Sequence, residues 1–228
     1  MIVSDKYGLI FLKTRKTAGT SIEAELSTLL EEEAIITPFG KPEINHRPRN
    51  YKGLWNPLPE LFDPKLTIKS TLSDFVKGRK YYNHMTARVL RHRLGRHKWE
   101  SYYKICVERD YITKTKSHIN MQIHLGRCKS QSDYFTMGYF CINAEIYTID
   151  DQVVVDEIIN FSNLSERLKD ILVKVGLKTS FGMNFKAKAN INKLDITFSD
   201  LEHALLEREF SYELDVLARA GETGIFSQ

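Results

Sequence analysis

Tyr7-Gly8-Leu9-Ile10-Phe11-Leu12-Lys13-Thr14-Arg15-Lys16-Thr17-Ala18-Gly19-Thr20-Ser21 is the stretch on which the fold turns. Its first half is a short apolar run, the pattern of a buried strand. A polar loop follows. Beyond it Ile22, Leu26, Leu29 and Leu30 recur at i, i+4, i+7 and i+8, one face of a helix. Thr20 and Glu23 have the spacing of a capping box near the start of that helix. A strand that passes through a small-residue loop into a helix places free backbone N–H groups and the positive end of a helix dipole at the loop. That is a ready anion site. Ala18 and Gly19 let a ligand approach the backbone, Thr17, Thr20 and Ser21 add hydroxyls, and Arg15 and Lys16 add charge. The same loop also reads as an ordinary Ser/Thr-rich helix cap. It is not a Walker A loop, because Arg15 and not Gly precedes Lys16 and Phe11 stands where the earlier Gly belongs. This disfavours an ordinary ATPase or kinase.

The alternation continues downstream. Tyr102 to Val107 reads as a second buried strand. The helix after it carries Ile112, Thr115, Ile119 and Ile123 on one side and stops near Gly126. Val153 to Val155 reads as a third strand. Leu164, Leu168, Ile171, Leu172 and Val175 form another amphipathic helix, with Asn163 and Glu166 as its capping box and Gly176 as its stop. Strand–helix alternation at this spacing predicts an α/β fold with a mainly parallel sheet. Residues 1–228 fit a single domain, interrupted by a Pro-rich irregular segment at 37–70 that holds all six prolines. That segment reads equally as a surface insertion or as a lid facing substrate.

Composition sets outer bounds. The 228 residues are 42% hydrophobic and 27% charged, which excludes a disordered, collagenous or disulfide-scaffold chain. A formal net charge of +4 is too small to argue for nucleic acid. No apolar run is long enough to span a membrane, and no signal peptide or anchor is evident. Cys106, Cys128 and Cys141 form no CxxC pair, so a reducing, cytoplasmic setting is expected. The seven histidines form no HExxH or Cys/His cluster, so no metal is expected. Charge is uneven along the chain. Lys77 to Lys98 holds eight Lys/Arg and no acid, while Ser199 to Gln228 is acidic. The basic stretch reads first as a solvated helix face, and otherwise as a contact for an anionic ligand.

A second anion-suited edge is Arg109-Asp110-Tyr111-Ile112-Thr113-Lys114-Thr115-Lys116-Ser117. Arg109 falls at the carboxyl end of a strand, where open α/β sheets bind ligands. On a helical wheel Lys114 and Ser117 share a side with Asp110, so a guanidinium, an ammonium and a hydroxyl are expected to converge. The competing reading is that Arg109 pairs with an acid and that Ser117 is plain polar surface.

These residues resemble a known family. Arg15 to Ser21 is similar to the 5′-phosphosulfate loop of sulfotransferases, P-K-T-[GA]-[GS]-T-[ST]. Arg109 to Ser117 resembles their 3′-phosphate motif, R-[DN]-P-x-x-R-x-x-S, with the same Arg-to-Ser spacing. Asn83-His84-Met85-Thr86-Ala87-Arg88 and Trp99-Glu100-Ser101-Tyr102-Tyr103-Lys104 are similar to segments of the bacterial branch related to carbohydrate sulfotransferases. Val155 to Leu164 is similar to the family's strand-to-helix passage. The resemblance covers residues 7 to 177. It departs where Arg15 and Tyr111 replace prolines, which affects loop rigidity, and where Lys114 replaces an arginine, which keeps charge but loses the planar fork.

The resemblance implies a P-loop NTPase-like three-layer fold and a transferase that uses 3′-phosphoadenosine 5′-phosphosulfate (PAPS). The sulfuryl group would pass to a hydroxyl, or an amine, of an acceptor of carbohydrate type, with neither a metal nor nucleic acid as partner. Lys16 would offset charge on the leaving phosphate. Arg15, Thr17, Ala18, Gly19, Thr20 and Ser21 would hold the 5′ group, and Arg109 and Ser117 the 3′-phosphate. His84 would take the acceptor proton. His118, Glu60 and Asp63 are rival bases. Two other functions compete with transfer: a non-catalytic binder of an anionic polymer through 77–98, and a nucleotide-dependent phosphotransferase.

Overall fold

The computed structural model describes residues 1–39, 46–177 and 194–227. It begins with a hairpin that the sequence reading did not find. β1 (Ile2–Ser4) runs antiparallel to β2 (Leu9–Leu12), with Ile2 opposite Phe11, and Gly8 at φ 54 closes the turn. From β2 the chain enters α1 (Gly19–Leu29) and returns as β3 (Ile35–Ile36), which pairs with the outer side of β1. Next come α2 (Leu58–Leu61), α3 (Ile68–Val76), α4 (Ala87–Leu94) and α5 (Arg96–Ser101), then β4 (Tyr103–Glu108), parallel to β2. After β4 come α6 (Tyr111–His124), α7 (Gln131–Met137), α8 (Ala144–Tyr147) and a small hairpin of β5 (Thr148–Ile149) and β6 (Gln152–Val153). β7 (Glu157–Asn160) lies parallel to β4, α9 (Leu164–Lys174) follows, and α10 (Asp200–Glu222) leads to β8 (Phe226–Ser227), parallel to β7.

The result is a mixed α/β protein with a central sheet in the order β3-β1-β2-β4-β7-β8, parallel from β2 to β8. Strand alternation divides its core into two halves. Leu9 and Phe11 of β2, Ile105 and Val107 of β4 and Ile159 of β7 pack with Ile22 and Leu26 of α1 and with Leu168 and Ile171 of α9. Ile10, Leu12, Cys106 and Ile158 face the other way, against Leu90 of α4, Ile146 of α8 and Val216 of α10. Ile119 of α6 and Tyr134 of α7 build a smaller cluster with Ile196. Cys106, Cys128 and Cys141 are buried free thiols.

Several local expectations are corrected. The third parallel strand is Glu157–Asn160, not Val153–Val155. Asp150 and Asp151 both take positive φ and fold Gln152–Val153 back onto Thr148–Ile149, which removes those valines from the main sheet. The Thr20/Glu23 capping box does not form. Ala18 adopts the left-handed conformation (φ 59) and becomes the N-cap, and Glu23 turns inward to Lys13 instead, 2.6 Å away. The Asn163/Glu166 box does not form either, because a turn of 3-10 helix (Phe161–Asn163) precedes α9 and is capped by Asn160, which accepts from Ser162 N–H. Leu29 is exposed, so the expected apolar face is buried at Ile22, Leu26 and the C-cap Leu30 only. In the 37–70 segment Arg49 bridges to Ile36, and α2 and the start of α3 are helical; Pro42 lies outside the described residues.

Candidate functional site

The chain leaves β2 toward the β3 edge and leaves β4 toward β7. The carboxyl ends of these two neighbouring strands therefore flank a topological switch point, where open α/β sheets form a crevice. The 13–18 loop and Arg109 both sit there. Thr14, buried, donates its hydroxyl to the carbonyl of Val107 and so fastens the loop to β4. Thr17 Oγ1 lies 2.7 Å from Thr14 Oγ1 and 3.3 Å from the Thr14 carbonyl, so its hydroxyl faces into the protein. Lys16 (φ 65) and Ala18 (φ 59) both take left-handed backbone, strained for residues with a Cβ. No side chain caps α1; Ser21 N–H turns back to the Ala18 carbonyl at 2.9 Å, and the N–H groups of Gly19 and Thr20 have no partner within the helix, as at any helix start. Gly19 is dictated by close approach, since a Cβ there would stand 2.6 Å from Lys13 Cγ. Lys13 is buried, paired with Glu23, its ammonium 4.0 Å from the centre of the Phe39 ring. Lys16, Thr20 and Ser21 are partly exposed on the outer side of the loop.

A second system ties the loop to Arg109. Asn143, fully buried at the start of α8, accepts from Arg15 N–H at 2.9 Å and donates to the Arg15 carbonyl at 3.1 Å. The same amide donates to Glu108 Oε1 at 3.3 Å, and Glu108 Oε1 accepts Arg109 N–H at 2.9 Å. Lys114 lies between Glu108, 2.7 Å away, and Glu213 of α10, while Glu213 also accepts the N–H groups of Asn143 and Ala144. Burial, and then the charge on Glu213, push the Glu108 carboxyl up to about 7 against the pull of Lys114. Lys114 is thus held in an internal ion network and does not converge with Arg109 and Ser117, which corrects the helical-wheel expectation. The Arg109 guanidinium rests over Phe161, 4.6 Å from the ring centre, and donates to Thr113 Oγ1. Among the described residues it forms no ion pair. Asp110 caps α6 by accepting from Thr113 N–H. Ser117 is half-buried two turns further along α6. A cavity of ≈ 740 Å³ opens beside Arg109, lined among others by Tyr111, Asn160, Leu217 and Phe226.

His84 reaches the loop from the other side. Its Nδ1 lies 3.0 Å from the carbonyl oxygen of Lys13. A carbonyl only accepts, so Nδ1 carries the proton and Nε2 keeps its lone pair. Burial, followed by the charges of Lys13 and Arg15, lowers its pKa to about 3, so the ring is neutral at ordinary pH. The rival bases are engaged elsewhere. His118 Nδ1 meets Tyr134 Oη at 2.9 Å and its Nε2 meets Gln122 at 2.7 Å. Glu60 is buried against Arg93, and Asp63 pairs with Arg88 and His92. The basic stretch is largely neutralised by these acids together with Asp74, Asp5 and Glu100, so it is not a free cationic strip. Among the described residues no group of three His, Cys, Asp or Glu is disposed to hold a metal ion.

No family model, curated protein or solved structure matches the chain.

Asn143, Glu108 and Glu213 escaped the sequence reading. Asn143 stands in no recognisable pattern. Glu213 did leave a signal, as the charged residue on the stripe Leu206, Phe210, Val216, Ala220 that forms the buried side of α10.

Proposed function

We propose that the protein is a sulfotransferase with a P-loop NTPase-like fold that moves the sulfuryl group of PAPS to an acceptor hydroxyl. The observation that carries this reading is the hydrogen bond from His84 Nδ1 to the Lys13 carbonyl. Through Lys13, 71 residues away in the chain, it joins a neutral imidazole with an open lone pair to the small-residue loop that opens α1.

The residues suit the donor. The backbone of Thr17 to Ser21 and the Lys16 side chain would hold the 5′ phosphosulfate. Arg109, which has no acid partner among the described residues, would hold the 3′-phosphate with Ser117. The cavity beside Arg109 offers Tyr111, Leu217 and Phe226 to a flat apolar ring. Bound there, PAPS would supply the activated sulfuryl group. His84 Nε2 accepts the proton of the acceptor hydroxyl as its oxygen attacks. Burial, with the positive charges of Lys13 and Arg15 behind it, keeps His84 unprotonated before an anion arrives, and an anion on the loop raises its proton affinity when the proton has to move. Lys16 offsets charge on the departing phosphate oxygen. A carbohydrate acceptor rests on resemblance alone.

The test compares the reaction product PAP with AMP in thermal melting. A ligand that binds the folded state stabilises by RT ln(1 + [L]/Kd). PAP is expected to raise Tm clearly, and AMP, which lacks the 3′-phosphate, much less. Equal shifts would remove Arg109 and Ser117 from the site and favour a phosphotransferase.

A further inference from the structure

Helix α3 is inside out. Its polar Thr71 and Asp74 are buried, Thr71 donating to Glu60 at 3.1 Å and Asp74 pairing with Arg79 and Arg93. Its apolar Ile68, Leu72 and Val76 face solvent, 56, 45 and 85% exposed. At 100° per residue these three fall within an arc of roughly 80°, with Lys69 at its edge. A surface helix ordinarily turns its apolar stripe to the core. The surface continues onto the preceding segment, where Leu54, Leu58 and Phe62 (82% exposed) also point outward. The two runs are fixed side by side by the Gly53–Gly78 backbone hydrogen bond, the Trp55–Phe75 ring contact and the Glu60–Thr71 bond.

Charge identifies the occupant. In residues 51–80 the acids Glu60, Asp63 and Asp74 all turn inward to Arg93, Arg88, His92 and Arg79. Lys52, Lys69 and Lys77 are exposed, and Lys69 and Lys77 form no ion pair among the described residues. Lys65 does, with Asp150 at the edge of the surface. The face therefore combines large aliphatic and aromatic side chains with lysines and offers no outward acid of its own. A second copy packed by the same face would bring like charges together, and nucleic acid would leave the aliphatic side chains without a partner. Apolar side chains that enter the acyl boundary while lysines meet phosphate headgroups satisfy both features.

We propose that the α2–α3 face docks on an anionic phospholipid surface. This is independent of the transfer reading, since it concerns partition and not chemistry. The full chain is sedimented with vesicles of phosphatidylcholine alone and of phosphatidylcholine mixed with phosphatidylglycerol, at low and high salt. It is expected to partition onto the mixed vesicles and to release as salt rises. Leu72→Glu with Val76→Glu removes apolar insertion, and Lys69→Glu with Lys77→Glu reverses the charge. Each pair is expected to weaken partition about tenfold or more. All four positions are exposed, so circular dichroism is expected to stay unchanged. Failure of the wild type to partition, partition insensitive to salt, or partition unchanged in the Leu72/Val76 variant overturns the proposal. So does lipid-free dimerisation in light scattering that the Leu72/Val76 variant abolishes, which would assign the face to a second copy.

Discussion

Replacing Lys114 by Met tests the internal network directly. Lys114 is fully buried, and so are the two carboxylates it serves, Glu108 at 2.7 Å and Glu213. Methionine keeps an unbranched side chain, one heavy atom shorter, and carries no charge. The loss of one partner from a buried ion pair costs about 3–5 kcal/mol, because the remaining charge stays in a dry site. For a chain of this size each kcal/mol is worth about 2–4 °C, so Tm at pH 8 is expected to fall by roughly 6–20 °C.

The penalty depends on pH, and its sign follows from Glu108. That carboxyl is raised from 4.5 to about 7 in the folded protein. Between those values the folded state holds the proton more tightly than the unfolded one, so this group's contribution to stability declines as pH rises. At pH 8 Glu108 is ionised and needs Lys114; at pH 5 it is already neutral and loses little when Lys114 goes. The destabilisation by Lys114→Met is therefore expected to shrink markedly from pH 8 to pH 5, as measured by calorimetric melting of both proteins at each pH. An equal loss at the two pH values, or a Tm change below about 2 °C at pH 8, would refute the buried-network argument.

Two further outcomes are expected. Gly19→Ala places a Cβ 2.6 Å from Lys13 Cγ, and Lys13 is pinned by Glu23, so overpacking of about 1–3 kcal/mol is expected in chemical denaturation; an unchanged midpoint would show that Lys13 yields freely. Burial, and then the charges of Lys16 and Arg15, hold His118 down at about 4, so the unfolded state binds its proton first as pH falls below 6.5; from pH 7 to pH 5 this removes about 2 kcal/mol of stability, and His118→Asn is expected to lose correspondingly less over the same interval in urea unfolding, with identical losses counting against it.

The elements read most directly from the sequence are those whose apolar pattern has one explanation. β2, β4, α6 and α9 each bury a contiguous run or a 3.6-period face, and each lies within a few residues of its expected place. The pattern fails where a strand is too short to carry a period. Ile158 and Ile159 are the only apolar residues of β7, and the neighbouring Val153 to Val155 outweigh them on β propensity while belonging to a different turn. β1 is three residues and β8 two, and their pairing is decided by partners elsewhere in the chain. α10 lies in the 199–228 stretch, which was read from its acidic charge alone. The stripe from Leu206 to Ala220 and the Ser199/Glu202 capping box could have exposed it.

In the site, the strand–loop–helix junction was legible because it depends on local sequence: an apolar run, then small and polar residues, then a 3.6-period face. What holds the loop in register was not legible, because it is built from side chains distant in the chain. Asn143 meets Arg15 across 128 positions and Glu213 meets Asn143 across 70. The helical wheel failed at Lys114 for a related reason. A wheel sorts residues by angle and counts a lysine as surface, but a buried carboxylate on a neighbouring strand can outweigh the desolvation of an ammonium once a second carboxylate joins it. Glu108 stands directly before Arg109 and is the sole acid of β4, so it could have raised that possibility in advance. A carboxylate that closes a buried strand requires a cation, and in this chain that cation is drawn from the helix which the sequence pattern had assigned to the ligand.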